Sequence, residues 1–532
     1  MREDWIEVEL KEVSDRIHYG YTATAKKNKA QDDCKYLRIT DIQNGQVNWS
    51  EVPFCDIPKS EISKFQLNKY DLVFARTGGT VGKSYLIKDQ VPKKAVFASY
   101  LIRVKINKSI EPKFVYNFFQ SLDYWEQINL NKVGLKTNVN AQILAKLKFN
   151  LPPLPEQRAI VAKIEQLLSE LDAGIASLKK AEAQLKTYRQ AVLKKAFEGE
   201  LTKAWRTQQS NLPTAEALLV QIKEERAQHH AQQLADWAQA VKTWEAEGKE
   251  GKKPAKPKTP KEVAPLSEEE LKQLPNLPEG WGWNCLVNIA ELIGGVTKGR
   301  KLDGQKLISL PYLRVANVQD GYLDLTHVKV IDVLPSDLDK YKLYEGDILY
   351  TEGGDKDKLG RGTIWRNEIE NCIHQNHIFR ARLYLKDMPP KFIGYYSQTR
   401  TAKKYFFSKA KQTTNLASIN LTVLSNLPFP LCSLPEQRQI VQEIESRLSV
   451  CDQVEASIQT GLAKAEALRQ SILKKAFEGR LLSDAELVTC KNEKDWAPAS
   501  TLLAQIEAEK AQAEAKAPKK ASRGTKKKTS VK

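Results

Sequence analysis

The chain has few cysteines, no long apolar run and none of the side-chain constellations that carry chemistry. Its seven cysteines (Cys34, Cys55, Cys285, Cys372, Cys432, Cys451 and Cys490) lie far apart, with no Cys-x-x-Cys pair. That spacing fits free thiols in a reducing cytoplasm better than a disulfide framework or a zinc site. No stretch of eighteen apolar residues occurs, so no membrane span is expected. The opening Met1-Arg2-Glu3-Asp4-Trp5 does not read as a signal peptide. The expected location is cytoplasmic.

Catalytic signatures are missing too. Amino-methyltransferases use Asn/Asp-Pro-Pro-Tyr/Phe at the target base; Leu151-Pro152-Pro153-Leu154 has the prolines without the polar residue or the ring. No glycine fingerprint for S-adenosylmethionine follows a strand and opens a helix. Gly78-Gly79-Thr80-Val81-Gly82-Lys83-Ser84 imitates a phosphate-binding loop. That motif needs four residues between its first Gly and Gly-Lys-Ser, and Thr77 stands where the Gly belongs. A Gly-rich turn that brings backbone and Lys83 to a phosphate of a larger polyanion is the better reading. His374 and His377 have metal-like spacing, but no Cys or acid nearby completes a site, so no metal is expected. No nuclease constellation of Pro-Asp and Glu-x-Lys stands out.

What is present is positive charge. The net charge is +18, of which the tail from Ala511 to Lys532 carries +7 and the linker from Gly248 to Glu262 carries +4. A polyanionic partner is invited, though much of the charge sits in segments that read as solvated ends.

The chain also says nearly the same thing twice. Leu154-Pro155-Glu156-Gln157-Arg158 returns as Leu434 to Arg438, and Leu193-Lys194-Lys195-Ala196-Phe197-Glu198-Gly199 returns as Leu473 to Gly479, both 280 residues later. Ahead of each copy lies a β-rich lobe. Tyr36-Leu37-Arg38 matches Tyr312-Leu313-Arg314, and Tyr70-Asp71-Leu72-Val73 matches Gly346-Asp347-Ile348-Leu349, at an offset of 276. Between these anchors the lobes diverge, which reads as one fold with two different surfaces.

Each lobe feeds a long helix. Ile164, Leu171, Leu178, Leu185 and Val192 recur every seven residues, with Leu167, Leu168 and Ile175 beside them. The second copy uses Ile444, Leu448, Cys451, Ile458, Leu462, Ala465, Leu468 and Ile472. Pro155 and Glu156 suit a helix start, and Gly199 a helix stop. The predicted fold class is α+β: two similar α/β lobes separated by two long antiparallel coiled-coil helices, with pseudo-twofold symmetry. The expected boundaries are 1–150 for lobe 1 and 151–200 for the first helix. A polar helical, then Lys/Pro-rich linker takes 201–275, followed by 276–430 for lobe 2 and 431–482 for the second helix. A segment that is helical, then a disordered basic tail, takes 483–532.

Two such helix starts and helix ends, each behind a variable lobe, resemble the specificity subunit of type I restriction–modification enzymes. The resemblance covers roughly residues 1–200 and 276–482, and Pro278-Glu279-Gly280-Trp281 and Asn426-Leu427-Pro428-Phe429-Pro430 add to it. It implies that each lobe is a target-recognition domain reading half of a split double-stranded DNA sequence, with the paired helices as spacer. It implies two methyltransferase subunits docked on the helices and two ATP-dependent restriction subunits joining them. The chain would do no chemistry and bind no cofactor; S-adenosylmethionine, ATP and Mg2+ would belong to its partners.

Candidate DNA contacts fall in polar loops near the shared landmarks: Arg76, Thr80, Lys83, Lys136, Thr137 and Asn138 in lobe 1, and Lys356, Lys358, Arg361, Gln412, Thr413 and Asn415 in lobe 2. Lys and Arg pair with phosphates, and forked side chains read base edges. Arg38 and Arg314 recur in both lobes and read as structural or as contacts. Ala75-Arg76-Thr77-Gly78-Gly79 faces Thr351-Glu352-Gly353-Gly354-Asp355 in the other lobe, so the half-sites should differ: Arg favours guanine, acids favour base amino groups. The apolar helix faces are wider than one seam. Ile164, Leu167, Leu168, Leu171, Ile175, Leu178, Ile444, Leu448, Ile458 and Leu462 are therefore the candidate interface for partner helices. Two readings compete: a coiled-coil scaffold that binds only protein, and an enzyme using Lys83 and its Gly-rich loop on a nucleotide.

Overall fold

The computed structural model describes residues 2–27, 33–43, 45–88, 90–130, 138–249, 253–260, 263–300, 302, 304–354, 359–412 and 417–516. Two α/β lobes are joined by two long helices. The chain divides into two compact units, residues 1–179 with 459–532, and residues 180–458.

In the first unit, hydrophobic β-formers such as Leu72-Val73-Phe74 and Leu101-Ile102 build the centre of a four-stranded antiparallel sheet. Its order is Ser14–Tyr19, Leu101–Ile106, Leu72–Ala75, Ser84–Leu86. A smaller sheet sets Cys34–Leu37 between Phe54–Cys55 and Ala95–Phe97. The strand Ile6–Glu9 pairs antiparallel with Lys148–Leu151, which runs directly into the first long helix. The second unit repeats all three. Its large sheet has the order Ala290–Gly294, Ile378–Leu383, Ile348–Thr351, Gly362–Ile364. Ile308–Leu313 lies between Lys329–Val333 and Ile373–His374, and Gly282–Cys285 pairs with Pro428–Leu431. Lobe 2 also contains a small sheet of Gly353–Gly354, Ala417–Ser418 and Lys411–Gln412.

The long helices span Leu154–Phe197 and Leu434–Phe477, 44 residues each, or about 66 Å at ~1.5 Å per residue. They pack antiparallel in both units. In the first, Arg469 pairs with Asp172; in the second, Arg189 reaches Asp452 at 2.6 Å and Glu455 at 2.9 Å. Partner numbers fall in one helix as they rise in the other.

Both helices stop in the same way. Gly199 and Gly479 take φ of +74° and +73°. Gly199 N–H donates to Ala196 O and Glu200 N–H to Lys195 O; Gly479 and Arg480 do the same to Ala476 and Lys475. This is the paired-bond stop that a left-handed glycine permits. The preceding phenylalanine anchors the helix end in its lobe. Phe477 stacks 5.1 Å from Phe114 and 5.5 Å from Phe118, and Phe197 lies 5.2 Å from both Phe392 and Tyr396.

The helix starts are built differently from the sequence expectation. Glu156 does more than place charge at a helix end: it is buried, and its Oε2 accepts from Trp5 Nε1 at 2.9 Å. Glu436 is its counterpart, accepting from Trp281 Nε1 at 2.9 Å. Gln157 and Gln437 donate back to Pro152 O at 2.8 Å and Cys432 O at 2.7 Å. A buried carboxylate tied to an indole thus bolts each lobe to its own spacer helix.

Segments after each helix close the units. Ala215–Ala246 buries Leu218 and Ile222 in the second core, and Ala215 N–H donates to Gly280 O at 2.8 Å. Ala499–Lys516 buries Leu502 and Ile506 in the first, and Ala499 N–H donates to Asp4 O at 3.1 Å. Among the described residues, no helix is long and apolar enough to cross a membrane.

Candidate nucleic-acid interface

In lobe 1 the inner strand Leu72–Ala75 delivers Arg76 at its carboxyl end. Its N–H donates to Tyr100 O at 3.0 Å and its carbonyl accepts from Val139 N–H at 3.1 Å. The guanidinium lies 4.8 Å from the Tyr19 ring, a distance for cation–π attraction. Its Nε is buried without a hydrogen-bond partner. Tyr19 is braced in turn, its hydroxyl accepting from Ala141 N–H at 3.2 Å.

Beside Arg76, the Gly-rich loop forms one wall of a cavity of about 950 Å³. Thr80, Lys83, Arg38, Tyr100 and Trp125 are among its lining residues. Lys83 is exposed and Asn138 is exposed. Lys136 and Thr137 lie outside the described residues. The loop is no phosphate cradle of the nucleotide-binding kind. It connects two strands rather than opening a helix, and three of its amides are spent within the turn: Val81 on Gly78 O, Gly82 on Ala75 O, Lys83 on Thr80 O. The helix N-terminus that such a site needs is missing here, so the nucleotide-enzyme reading loses its physical basis.

Lobe 2 uses the same seat for a different residue. Glu352 N–H donates to His377 O at 2.9 Å, and its carbonyl accepts from Ile419 N–H at 2.7 Å. Its carboxylate contacts His377 Nδ1 at 2.5 Å. Glu352, His377, Lys411 and Gly353–Gly354 line a cavity of about 400 Å³. Arg361 sits nearby but spends Nη1 on Gln319 Oε1 at 2.6 Å. Gln412 belongs to the short strand Lys411–Gln412. Lys356, Lys358, Thr413 and Asn415 lie outside the described residues.

The sheets that carry the seats also hold ion pairs at the other end of the same strands. Under lobe 1, Arg103 bonds Asp71 at 3.1 Å and His18 Nε2 at 2.8 Å. Burial, then the Arg103 charge, pushes His18 down to about 4. Burial raises Asp71 and lowers Arg103. Under lobe 2, Arg382 holds Asp347 through two bonds of 2.7 Å, and Arg380 reaches Glu291 at 2.7 Å. Arg38 forks onto Asp41 at 2.7 and 3.1 Å, and Arg314 donates to His327 O at 3.0 Å.

His374 is fully buried, its Nδ1 lying 3.0 Å from Ile378 O, while His377 is held by Glu352. The described residues contain no group of three or more His, Cys, Asp or Glu side chains able to hold a metal.

The helix residues divide. Ile164 and Ile444 are fully buried in their own lobes' cores, so they are spent inside this chain and closed to a partner. Ile458 is buried as well. Leu167 and Leu168 pack partly on the first core and Leu448 on the second. Leu171, Ile175 and Leu178 line a groove of about 550 Å³ with Gly461 and Leu468, and Leu462 is half-buried. Leu468, Tyr188, Val450 and Val454 remain exposed.

Two copies of one lobe-and-helix unit, alike in their Trp–Glu bond and unlike at their strand ends, define a duplicated recognition protein. The chain matches the type I restriction modification DNA specificity domain over residues 2–185 and again over 278–462, and it belongs to that family. It is 25% identical over 534 residues to the EcoKI specificity subunit of Escherichia coli (strain K12), with 98% of each chain covered. It is 24% identical over 504 residues to the StySPI specificity subunit of Salmonella potsdam, with 92% of each covered. Specificity subunits are the non-catalytic components of type I complexes, and the chain takes that role by family. Two solved structures share the fold. One, from work on complex assembly and conformational transition of the type I R-M system, has a TM-score of 0.60 at 17% identity and covers 90% of this chain and 99% of its own. The other, the HsdS subunit from Thermoanaerobacter tengcongensis, has a TM-score of 0.50 at 17% identity and covers 90% and 98%.

Proposed function

We propose that this chain directs a type I restriction–modification complex to a two-part, asymmetric double-stranded DNA target. Lobe 1 reads one half-site, lobe 2 the other, and the spacer helices set the number of unread base pairs between them. Two methyltransferase subunits dock on the helices' open apolar faces, and two ATP-dependent restriction subunits join them. S-adenosylmethionine, ATP and Mg2+ serve those partners, which methylate adenine or cut in the cytoplasm. The observation that supports this best is the repeat itself: the Trp–Glu bond recurs in both units, while the seats at the strand ends carry Arg76 in one and Glu352 in the other.

The test is a base-resolution methylome of cells carrying the chain with its methyltransferase. The expected motif has two dissimilar halves around a gap. Inserting four residues, about 6 Å of helix, into both spacers should lengthen the gap by one or two base pairs and leave the halves unchanged. A perfect palindrome, or altered halves with a constant gap, counts against the reading. A protein-only scaffold would instead show no salt-dependent affinity for DNA.

A further inference from the structure

Arg76 and Glu352 are structural equivalents, and the backbone establishes this independently of the side chains. Each follows the last residue of the same strand, Ala75 or Thr351. Each donates its N–H to the residue just before the central strand of its sheet, Tyr100 or His377, and accepts at its carbonyl from Val139 or Ile419. Two hydrogen bonds from non-local segments hold one backbone position in one orientation in both lobes. Only the side chain and its brace change.

The braces suit the side chains they hold. The Tyr19 face steadies a guanidinium by cation–π attraction. His377 Nδ1 ties a carboxylate oxygen. Both clusters keep their outer members in solvent: Tyr100 is 63% exposed, and the His377 side chain 50%. A held fork of donors fits the paired acceptors of guanine, and a held acceptor fits the exocyclic amino group of cytosine or adenine.

Building on the split-target reading, we infer that this shared seat is a specificity-determining position in both lobes, with opposite hydrogen-bond polarity. Arg76 reads a guanine in the half-site of lobe 1. Glu352 reads an amino-bearing base in the half-site of lobe 2. Tyr19 and His377 are positioning residues that act through them.

The experiment uses the full chain assembled with its methyltransferase, acting on a duplex library randomised across the target, with methylated products sequenced. Arg76→Ala should relax one guanine position in one half-site by about 10- to 100-fold, the discrimination of a bidentate base contact, and leave the other half-site intact. Arg76→Lys keeps the charge but loses the fork, and should relax the same position. Glu352→Gln should relax one position in the opposite half-site, and the base preferred there by the unaltered chain distinguishes cytosine from adenine. His377→Ala should relax that same position, and His377→Asn, which keeps a donor near Nδ1, should restore it. Uniform loss across all positions, relaxation in the same half-site by Arg76 and Glu352 variants, or unchanged selectivity would overturn the inference. If the unaltered complex selects no split sequence, the broader functional reading fails with it; if it does and the variants relax no single base, only the shared-seat inference fails.

Discussion

Arg189 Nη2 lies 2.6 Å from Asp452 Oδ1, and this ion pair is repeated with the helices exchanged. Arg469 stands 280 positions after Arg189, Asp172 stands 280 before Asp452, and those two are paired as well. The helix pair therefore has one register, stated twice. Asp452 is 69% exposed, so each pair is worth only ~0.2–1 kcal/mol. Its use is alignment. We expect Arg189→Asp to cost under ~1 kcal/mol in urea unfolding, and Asp452→Arg added to it to recover most of that loss. No recovery would mean that the pair is incidental to the register.

The two bolts differ in completeness. Glu436 Oε1 accepts from Arg206 Nε at 2.7 Å and Thr202 Oγ1 at 2.8 Å. At the equivalent places unit one has Leu482 and Glu486, and Glu156 Oε1 is buried with no partner. Arg2 comes only within 3.7 Å of the other oxygen. Glu436→Gln should therefore cost ~1–3 kcal/mol, the figure for stranding a charge reduced because Arg206 is one-fifth exposed. Glu156→Gln should change stability by under ~1 kcal/mol. Equal losses in paired thermal unfolding scans would show that the missing partners do not matter.

The helix stops give an asymmetric pair of glycine substitutions. Both glycines have positive φ, so alanine costs ~1–2 kcal/mol of conformational strain in either. A Cβ on Gly199 would also meet Pro278 Cγ at 2.3 Å, whereas on Gly479 the nearest atom is the flexible Arg2 Cδ at 3.0 Å. Gly199→Ala should thus lose at least ~1 kcal/mol more than Gly479→Ala. Chemical denaturation of both variants tests the order, and the reverse order would refute it.

Acid should loosen lobe 2 through His374. Burial, then the Arg380 charge, lowers it from 6.5 to about 3. As pH falls below 6.5 the unfolded chain takes up a proton that the folded one refuses until about pH 3, so stability is whole above 6.5 and declines towards 3. His374→Asn keeps a donor near Ile378 O and cannot titrate. Its unfolding free energy should fall less steeply between these limits; an unchanged slope would assign the acid response to other groups.

The duplication and the long helices were legible because each copy kept one offset and one heptad rhythm through a single continuous element. The bolts were half legible: Leu-Pro-Glu-Gln-Arg stood out as a repeat, but Trp5 meets Glu156 only once the first strand pairs with Lys148–Leu151. Reading Ile164 and Ile444 as open to partners failed because periodicity marks an apolar face without saying what covers it. At the two strand ends, the sequence singled out Arg76 as a candidate from its motif. Tyr19, Tyr100, His377 and Lys411 were missed, since strands distant in sequence bring them there. Tyr100 and His377 also stand 277 apart, not 276, so the offset that linked the other landmarks slips just there.

The second unit is one unbroken stretch, residues 180–458, while the first needs residues 459 onward to complete it. Its core includes Leu473, Phe477, Leu502 and Ile506. During synthesis the amino-terminal lobe emerges first yet must wait for 279 further residues before its missing helices exist. At ~5–20 residues per second that is some tens of seconds. The usual order of vectorial folding is inverted: what the ribosome makes earliest is finished last, and a nascent chain stalled before residue 459 would hold one mature lobe and one still awaiting its lid.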